Sequence, residues 1–449
     1  MSPSAAHAVA PQDQAADPTT AELLFARPHL TMHAMDGLLL EDVLLNRIAD
    51  AAGTPTWVYG AGTMRARYRA LAGALTQAGL DAELHYAMKA NDHLAVIRLF
   101  AAEGAGADVV SEGELRRARI AGVPPAHIVF SGVGKSERDL RLALAEDVGQ
   151  INVESAEELD MLSALAAGMG RIARIALRVN PDVDAATHAK ISTGRAGDKF
   201  GIPWADAGAL YARATTLPGI APTGLATHIG SQILSLAPFR AAYARIAALV
   251  TELRAAGHTV ETVDCGGGLG IPYRDEPAPS PDGLAGALRA AFHNLDVRLK
   301  LEPGRWLVAP AGVLLSTVVL TKQTQGTRFV VLDAAMNDLV RPAMYEAWHG
   351  VVPLAAADAV APVAPADIVG PVCETGDTFA RSRLLPMLRR DARVAILDAG
   401  AYGSVMSSTY NARPLAAEVM VDGGRWSVIR DRQTHEALWQ GERVPDFLM

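Results

Sequence analysis

The 449 residues hold little that cross-links or binds by charge. The two cysteines, Cys265 and Cys373, lie far apart; that excludes a disulfide framework and points to a reducing cytoplasm. Lysine is scarce, six residues against 35 arginines, and the net charge is −8 with no dense basic patch. Binding nucleic acid through its phosphates is therefore not the expected function. No uncharged apolar run reaches the length of a membrane span, and the apolar stretch from Ile246 to Thr251 reads as part of an amphipathic helix. Residues 1–28, rich in Ala, Pro, Gln and Asp, lack the basic and apolar blocks of a signal peptide. They read as a disordered tail. The dinucleotide fingerprint Gly-x-Gly-x-x-Gly at a first strand is also missing.

What is present is a rhythm. Half the residues are hydrophobic and a fifth are charged, enough for a large buried core. After short extended segments at His29–Ala34 and Pro55–Tyr59 and a helix over Met64–Ala78, strand and helix alternate eight times. The strands are read at Leu84–Met88, Asp108–Ser111, His127–Ser131, Gln150–Val153, Ile172–Val179, Gly224–Ile229, Thr262–Cys265 and Val297–Leu301. Apolar residues spaced three and four apart predict helices over Glu112–Ala121, Glu137–Glu146, Ala156–Ala167, Ala205–Thr216 and Pro238–Ala255. Ser111 and Ser155, each followed by acidic residues, read as helix N-caps. Eight such units predict an α/β fold, a (β/α)8 barrel. An open doubly wound sheet competes, but it would place its site at one switch point. Here polar or glycine residues follow six of the eight strands: Lys89, Ser111, Glu154, His228, Gly266 to Gly268, and Glu302.

After Arg305 the pattern turns to β-branched runs split by turns, such as Gly312–Leu320, Phe329–Asp333, Arg393–Asp398 and Trp426–Arg430. These predict a mostly antiparallel β domain. The expected organisation is a tail (1–28), an N-terminal segment packing with the β domain (29–60), the barrel (61–306) and the β domain (307–449). The Ala/Pro/Val-rich stretch Val352–Pro365 reads as a surface connection.

The strand ends carry the chemistry. Lys89, at the end of an apolar strand, is either a lysine reaching out to water or a desolvated amine of lowered pKa, suited to a Schiff base. His228 in His228-Ile229-Gly230-Ser231-Gln232 is a core histidine or an aromatic plate for a flat ring, with Ser231 open to a phosphate. Gly266-Gly267-Gly268-Leu269-Gly270 is a tight turn or an anion cradle of backbone N–H groups. Glu302-Pro303-Gly304-Arg305 is an ion pair or a carboxylate that keeps a pyridinium protonated. Asn180 to Gly201 is a long glycine-bearing loop or a lid that excludes water. Each has a plain structural reading alone. On one barrel face together they describe a site for pyridoxal 5′-phosphate.

At these residues the chain resembles the diaminopimelate decarboxylases, of the alanine racemase-like barrel class of pyridoxal-phosphate enzymes. The likeness covers nearly everything but the tail. Its motifs are Tyr86-Ala87-Met88-Lys89-Ala90-Asn91, the three strand-end motifs above, the run from Met336 to Tyr345, the run from Gly370 to Asp377, and Gly400-Ala401-Tyr402-Gly403. The resemblance implies decarboxylation of meso-2,6-diaminopimelate to L-lysine and carbon dioxide. It implies that Lys89 holds the cofactor covalently, His228 stacks on its ring and Glu302 meets the ring nitrogen. Gly266, Gly267, Gly268, Pro303, Gly304, Arg305, Ser231 and Tyr402 would surround the cofactor, chiefly its phosphate. Arg305, Arg341, Tyr345, Glu374 and Tyr402 would bind the substrate, and Cys373 would return a proton to the carbanion. Cys373 and Glu374 would reach into a partner's site, so the resemblance also implies a homodimer.

The chemistry agrees. A carbanion left by carbon dioxide needs an electron sink and a nearby acid. A zwitterionic distal end needs arginine for its carboxylate and an acid for its ammonium. Ala335, Ser382, Leu415 and the lid stretch His188-Ala189-Lys190 depart from the family pattern. A related decarboxylase acting on ornithine, lysine, arginine or carboxynorspermidine is the alternative. A racemase would have a shorter chain with a tyrosine base, and a non-catalytic carrier would lack the β domain.

Overall fold

The computed structural model describes residues 17–449 except 186, 187, 189–192, 195 and 196. Eight parallel strands close into a barrel: Ala82–Ala87, Gly106–Val109, Ile128–Phe130, Gln150–Val153, Ala173–Arg178, Ile220–Ala226, Thr262–Asp264 and Arg298–Leu301, each beside its neighbours in sequence. The alternation of short buried strands with helices therefore does build a (β/α)8 barrel. The helix starts follow from their caps. Ser111 Oγ accepts from the Glu114 N–H at 3.3 Å and Ser155 Oγ from the Glu158 N–H at 3.1 Å, each satisfying a donor the first turn leaves open. Ser136 and Asp139 form a reciprocal capping box at the helix Glu137–Glu146.

The second unit is a nine-stranded, mostly antiparallel sheet with Gly312–Thr324 at its centre. That strand pairs with Thr327–Leu332, Arg393–Ile396 and Thr56–Gly60, all antiparallel. Thr56–Gly60 is buried along its whole length because both faces of the sheet are covered. Val58 turns to a cluster with Leu38, Leu40, Val313, Leu315, Val419 and Val421, while Trp57 and Tyr59 join the larger core shared with the barrel. Alternate side chains of one strand thus bind the two units to the N-terminal segment.

Two expectations need correction. Residues 1–16 of the expected tail lie outside the described residues, but residues 17–28 are folded. Thr20–Phe25 is a helix closed by a Thr19–Glu22 capping box, Leu23 is buried, and Arg27 is ion-paired with buried Asp398. The stretch Val352–Pro365 is no mere connection. Val351–Pro353 pairs with the strand Arg393–Ile396, and Val352 and Leu354 are fully buried. A three-residue strand is set by its partner, 40 residues on, more than by its own composition.

Removing Asp398 would strand the Arg27 guanidinium in the interior. Asp398→Ala should destabilise the protein by about 3–5 kcal/mol, read by denaturant unfolding. A loss below about 1 kcal/mol would mean that water or the nearby carbonyls compensate.

Candidate active site

A cavity of about 370 Å³ opens where the mouth of the barrel meets the sheet. It is lined by Lys89, His228, Ser231, Gly268, Glu302, Gly304, Arg305, Arg341, Tyr345 and Tyr402, so residues from both units converge on it. A second cavity of about 320 Å³ runs on into the barrel and shares Lys89, Thr193, His228 and Glu302.

The first barrel strand ends at Ala87, and Lys89 sits in the 3-10 turn Met88–Ala90 that follows. The turn is tied down from the sheet: the Tyr402 N–H donates to Ala90 O at 2.7 Å, with Tyr402 in the left-handed region at φ 54°. Lys89 Nζ lies 3.1 Å from Asp108 Oδ2 on the second strand. Burial pulls its pKa down, but the charge of Asp108, foremost among its neighbours, outweighs that and holds the amine above its ordinary value. The expected lowered pKa is thus overturned: the partners at neighbouring strand ends decide the sign, and they cannot be read from the apolar run before Lys89.

Glu302 lies at the end of the eighth strand, buried beneath the cavity. Its Oε1 is 3.4 Å from Ser131 Oγ and 3.5 Å from Asn152 Nδ2. Burial, then the carboxylates of Asp108 and Asp264, push its pKa well above the usual range, so it favours the protonated form. Asp264 is fixed in turn by Asn152 Nδ2 at 3.1 Å, Gln150 Nε2 at 3.2 Å and the Gly266 N–H at 3.0 Å.

The Gly267 N–H donates to His228 Nδ1 at 3.1 Å. Burial, with Lys89 and Arg178 nearby, holds the imidazole well below its usual pKa, so it is neutral and carries its proton on Nε2. Gly267 has to be glycine: a Cβ there would stand 2.1 Å from Glu302 O. These bonds revise the expected anion cradle. The N–H groups of Gly266 and Gly267 are engaged inside the protein, and Gly266, Gly267 and Pro303 do not line the cavity, whereas Gly268, Gly304 and Ser231 do.

At the sheet end of the cavity two arginines share one aromatic ring. Arg305 donates to Tyr273 Oη at 2.8 Å and to Ser231 Oγ at 3.1 Å, and its guanidinium lies 4.7 Å from the Tyr402 ring centre. Arg341 stands 4.5 Å over the face of Tyr273. Arg305 Nε is buried without a hydrogen-bond partner among the described residues. Two buried guanidiniums with open donor capacity make this end a receptor for anions.

Cys373 and Glu374 lie elsewhere. They sit on the exposed loop between the strands Val363–Val369 and Thr378–Pro386 and line neither cavity. The loop is shaped by Asp377, whose carboxylate accepts from the N–H groups of Met336 and Val372, both at 2.7 Å. Of the expected lid, residues 186, 187, 189–192, 195 and 196 lie outside the described residues; His188 and Thr193 line the cavity. The ends of this loop are tied together where the Asn180 N–H donates to Ile202 O at 2.9 Å.

The set fits pyridoxal phosphate on this geometry: an amine, a flat neutral ring, a buried protonated carboxyl, and at the far side a hydroxyl and a guanidinium for a phosphate. Sequence reading passed over Asp108, Asp264, Asn152, Tyr273 and His349. Asp108 and Asp264 each lie at a barrel strand end, a signal that could have found them; Tyr273 and His349 sit in loops with no periodic signal.

Residues 61–309 match the pyridoxal binding domain of pyridoxal-dependent decarboxylases. The chain is 49% identical to the diaminopimelate decarboxylase of Zymomonas mobilis over 92% of its own length and 98% of the relative's. It is 48% identical to that of Pseudomonas aeruginosa, over 91% and 97%. The crystal structure of diaminopimelate decarboxylase from Helicobacter pylori complexed with L-lysine superposes with a TM-score of 0.85 at 37% identity, covering 88% of this chain and 98% of that one.

Proposed function

The chain belongs to the diaminopimelate decarboxylases of the pyridoxal-dependent decarboxylase family, and from that premise we propose that the cavity above Lys89 is its active site. The protein releases carbon dioxide from meso-2,6-diaminopimelate and leaves L-lysine, using pyridoxal 5′-phosphate. The observation that carries the site reading is the convergence of Lys89, His228 and Glu302 from the barrel with Arg341 and Tyr402 from the sheet on one cavity.

The bound cofactor supplies an electron sink for the charge that carbon dioxide leaves behind. The chain's residues do the rest. Lys89 would hold the cofactor, the neutral face of His228 would support its ring, and Glu302 would present a proton to the ring nitrogen. Ser231, Gly268, Gly304 and Arg305 hold the phosphate. Arg341, with Arg305, takes the substrate's distal carboxylate, and Tyr345 closes that side. This favours diaminopimelate over ornithine, lysine or arginine, which have no second carboxylate to offer those guanidiniums.

Cys373 and Glu374, outside the cavity of their own chain, act in that of a second copy. Cys373 Sγ would supply a proton at the substrate carbon that loses carbon dioxide, and Glu374 would take the distal ammonium. The protein thus works as a homodimer, and its two free thiols support the cytoplasm as its compartment. The working division is the barrel at 61–306 and the β domain at 307–449, with the N-terminal segment 29–60 packing against the β domain.

Mixing two dead variants tests the shared site. Lys89→Ala and Cys373→Ala should complement, because a mixed dimer holds one intact site of two; at random exchange about a quarter of wild-type activity returns. Exchange without any return of activity would place the whole site within one chain. Carbon dioxide release from a panel of amino acids, greatest with meso-diaminopimelate, tests the substrate.

A further inference from the structure

Behind Arg341, outside the cavity, lies His349, buried with 2% of its surface exposed. Its Nδ1 is 2.7 Å from Leu397 O and its Nε2 is 2.8 Å from an Arg341 Nη. A carbonyl only accepts and a guanidinium only donates. Nδ1 therefore carries the proton, and the Nε2 lone pair receives the Arg341 N–H. Leu397 directly follows the sheet strand Arg393–Ile396, so the imidazole is hung on the backbone of the sheet. The ring also stands edge-on to Tyr273 at 5.3 Å between centres, and His349 O accepts from an Arg383 Nη at 2.9 Å. Arg341 is thus held from two directions, by the Tyr273 face and by His349 Nε2. Burial first, then the charge of Arg341, keeps the imidazole well below its usual pKa and so neutral.

We infer that His349 is the positioning residue through which the site selects a distal carboxylate: by accepting one Arg341 N–H while bonded to Leu397 O, it fixes the plane in which the guanidinium meets the ligand. The inference rests on Arg341 as the carboxylate's partner in the reading above. A long cation on a flexible stem loses much of its selectivity unless its fork is set in advance.

Two inhibitors separate positioning from simple folding. L-lysine, the product, keeps the distal carboxylate; 1,5-diaminopentane has none. In the cofactor-loaded enzyme, His349→Leu should raise KM for meso-diaminopimelate and the inhibition constant of L-lysine about tenfold, the loss of one charge-assisted hydrogen bond. It should change kcat less than about threefold and leave inhibition by 1,5-diaminopentane unchanged. His349→Gln, whose amide oxygen can accept from Arg341, should recover most of the L-lysine affinity. If the leucine variant does not fold, His349→Asn carries the same test, since its shorter amide cannot serve Leu397 and Arg341 together. Equal weakening of both inhibitors without rescue by glutamine would reduce His349 to a packing residue and overturn the inference. Arg341→Gln is the control. If it weakens L-lysine while His349→Leu does not, only the role of His349 falls. If it leaves L-lysine untouched, the assignment of Arg341 falls and takes this inference with it.

Discussion

Lys89→Ala should turn over meso-diaminopimelate about 10⁴-fold more slowly than the wild type, on the scale seen when the covalent member of a catalytic unit is removed. Lys89 is the only lysine lining either cavity among the described residues. The two buried lysines are engaged or turned elsewhere among the described residues. Lys135 is paired with Glu158 at 2.8 Å, and Lys300 lies on the eighth strand outside both cavities. Borohydride should therefore fix the cofactor to Lys89 in the wild type and to no residue in the variant, as peptide mass mapping would read. Fixation at Lys135 or Lys300 would sink the assignment. The ion pair with Asp108 adds a condition. The amine must give up its proton to react, and the Asp108 carboxylate beside it favours the charged form, so Asp108→Asn should ease cofactor attachment at neutral pH.

Glu302→Gln should lower kcat by about 10²–10³ while the cofactor stays bound, the range for removing one charge-stabilising group from a water-excluded site. The argument rests on crowding. Glu302 shares the barrel interior with Asp108 and Asp264, and burial with those two charges keeps a proton on it. A carboxyl that holds its proton can share it with a ring nitrogen, whereas a glutamine amide can donate a hydrogen bond but cannot leave a charge behind. The cofactor's absorption spectrum should therefore shift in the variant even before substrate is added. A fall in kcat below about tenfold with an unchanged spectrum would leave Glu302 a structural residue.

Much of this architecture is legible in the chain because its signals are local. Ser111 and Ser155 announce their helices through the side-chain oxygen that each places over the first turn, and the helix Glu137–Glu146 has the bounds that its spacing predicts. Lys89, His228 and Glu302 stand out because polar residues end apolar strands. What stayed hidden depends on partners distant in sequence. Arg27 and Asp398 are 371 residues apart, and neither has a neighbour that marks it as buried. The Thr19–Glu22 capping box was legible by its spacing, but the composition around it pointed to disorder. The sign of the shift at Lys89 was out of reach for the same reason, since Asp108 belongs to the next strand. Nothing local told that the Gly267 N–H would be taken by His228, 39 residues away.

Arg27 joins three parts of the molecule. Its guanidinium donates to Leu23 O of the preceding helix at 2.9 Å, to Tyr273 O of the barrel loop at 2.9 Å and to the Asp398 carboxylate beside the sheet. A bolt of this kind forbids hinge motion between barrel and sheet, because opening them by a few ångströms would leave a buried charge unpaired. The cleft that holds the two arginines is then as deep before a ligand arrives as after. Binding L-lysine should accordingly show the small heat-capacity change of a ligand burying its own surface, with none of the large negative change that two closing lobes would add.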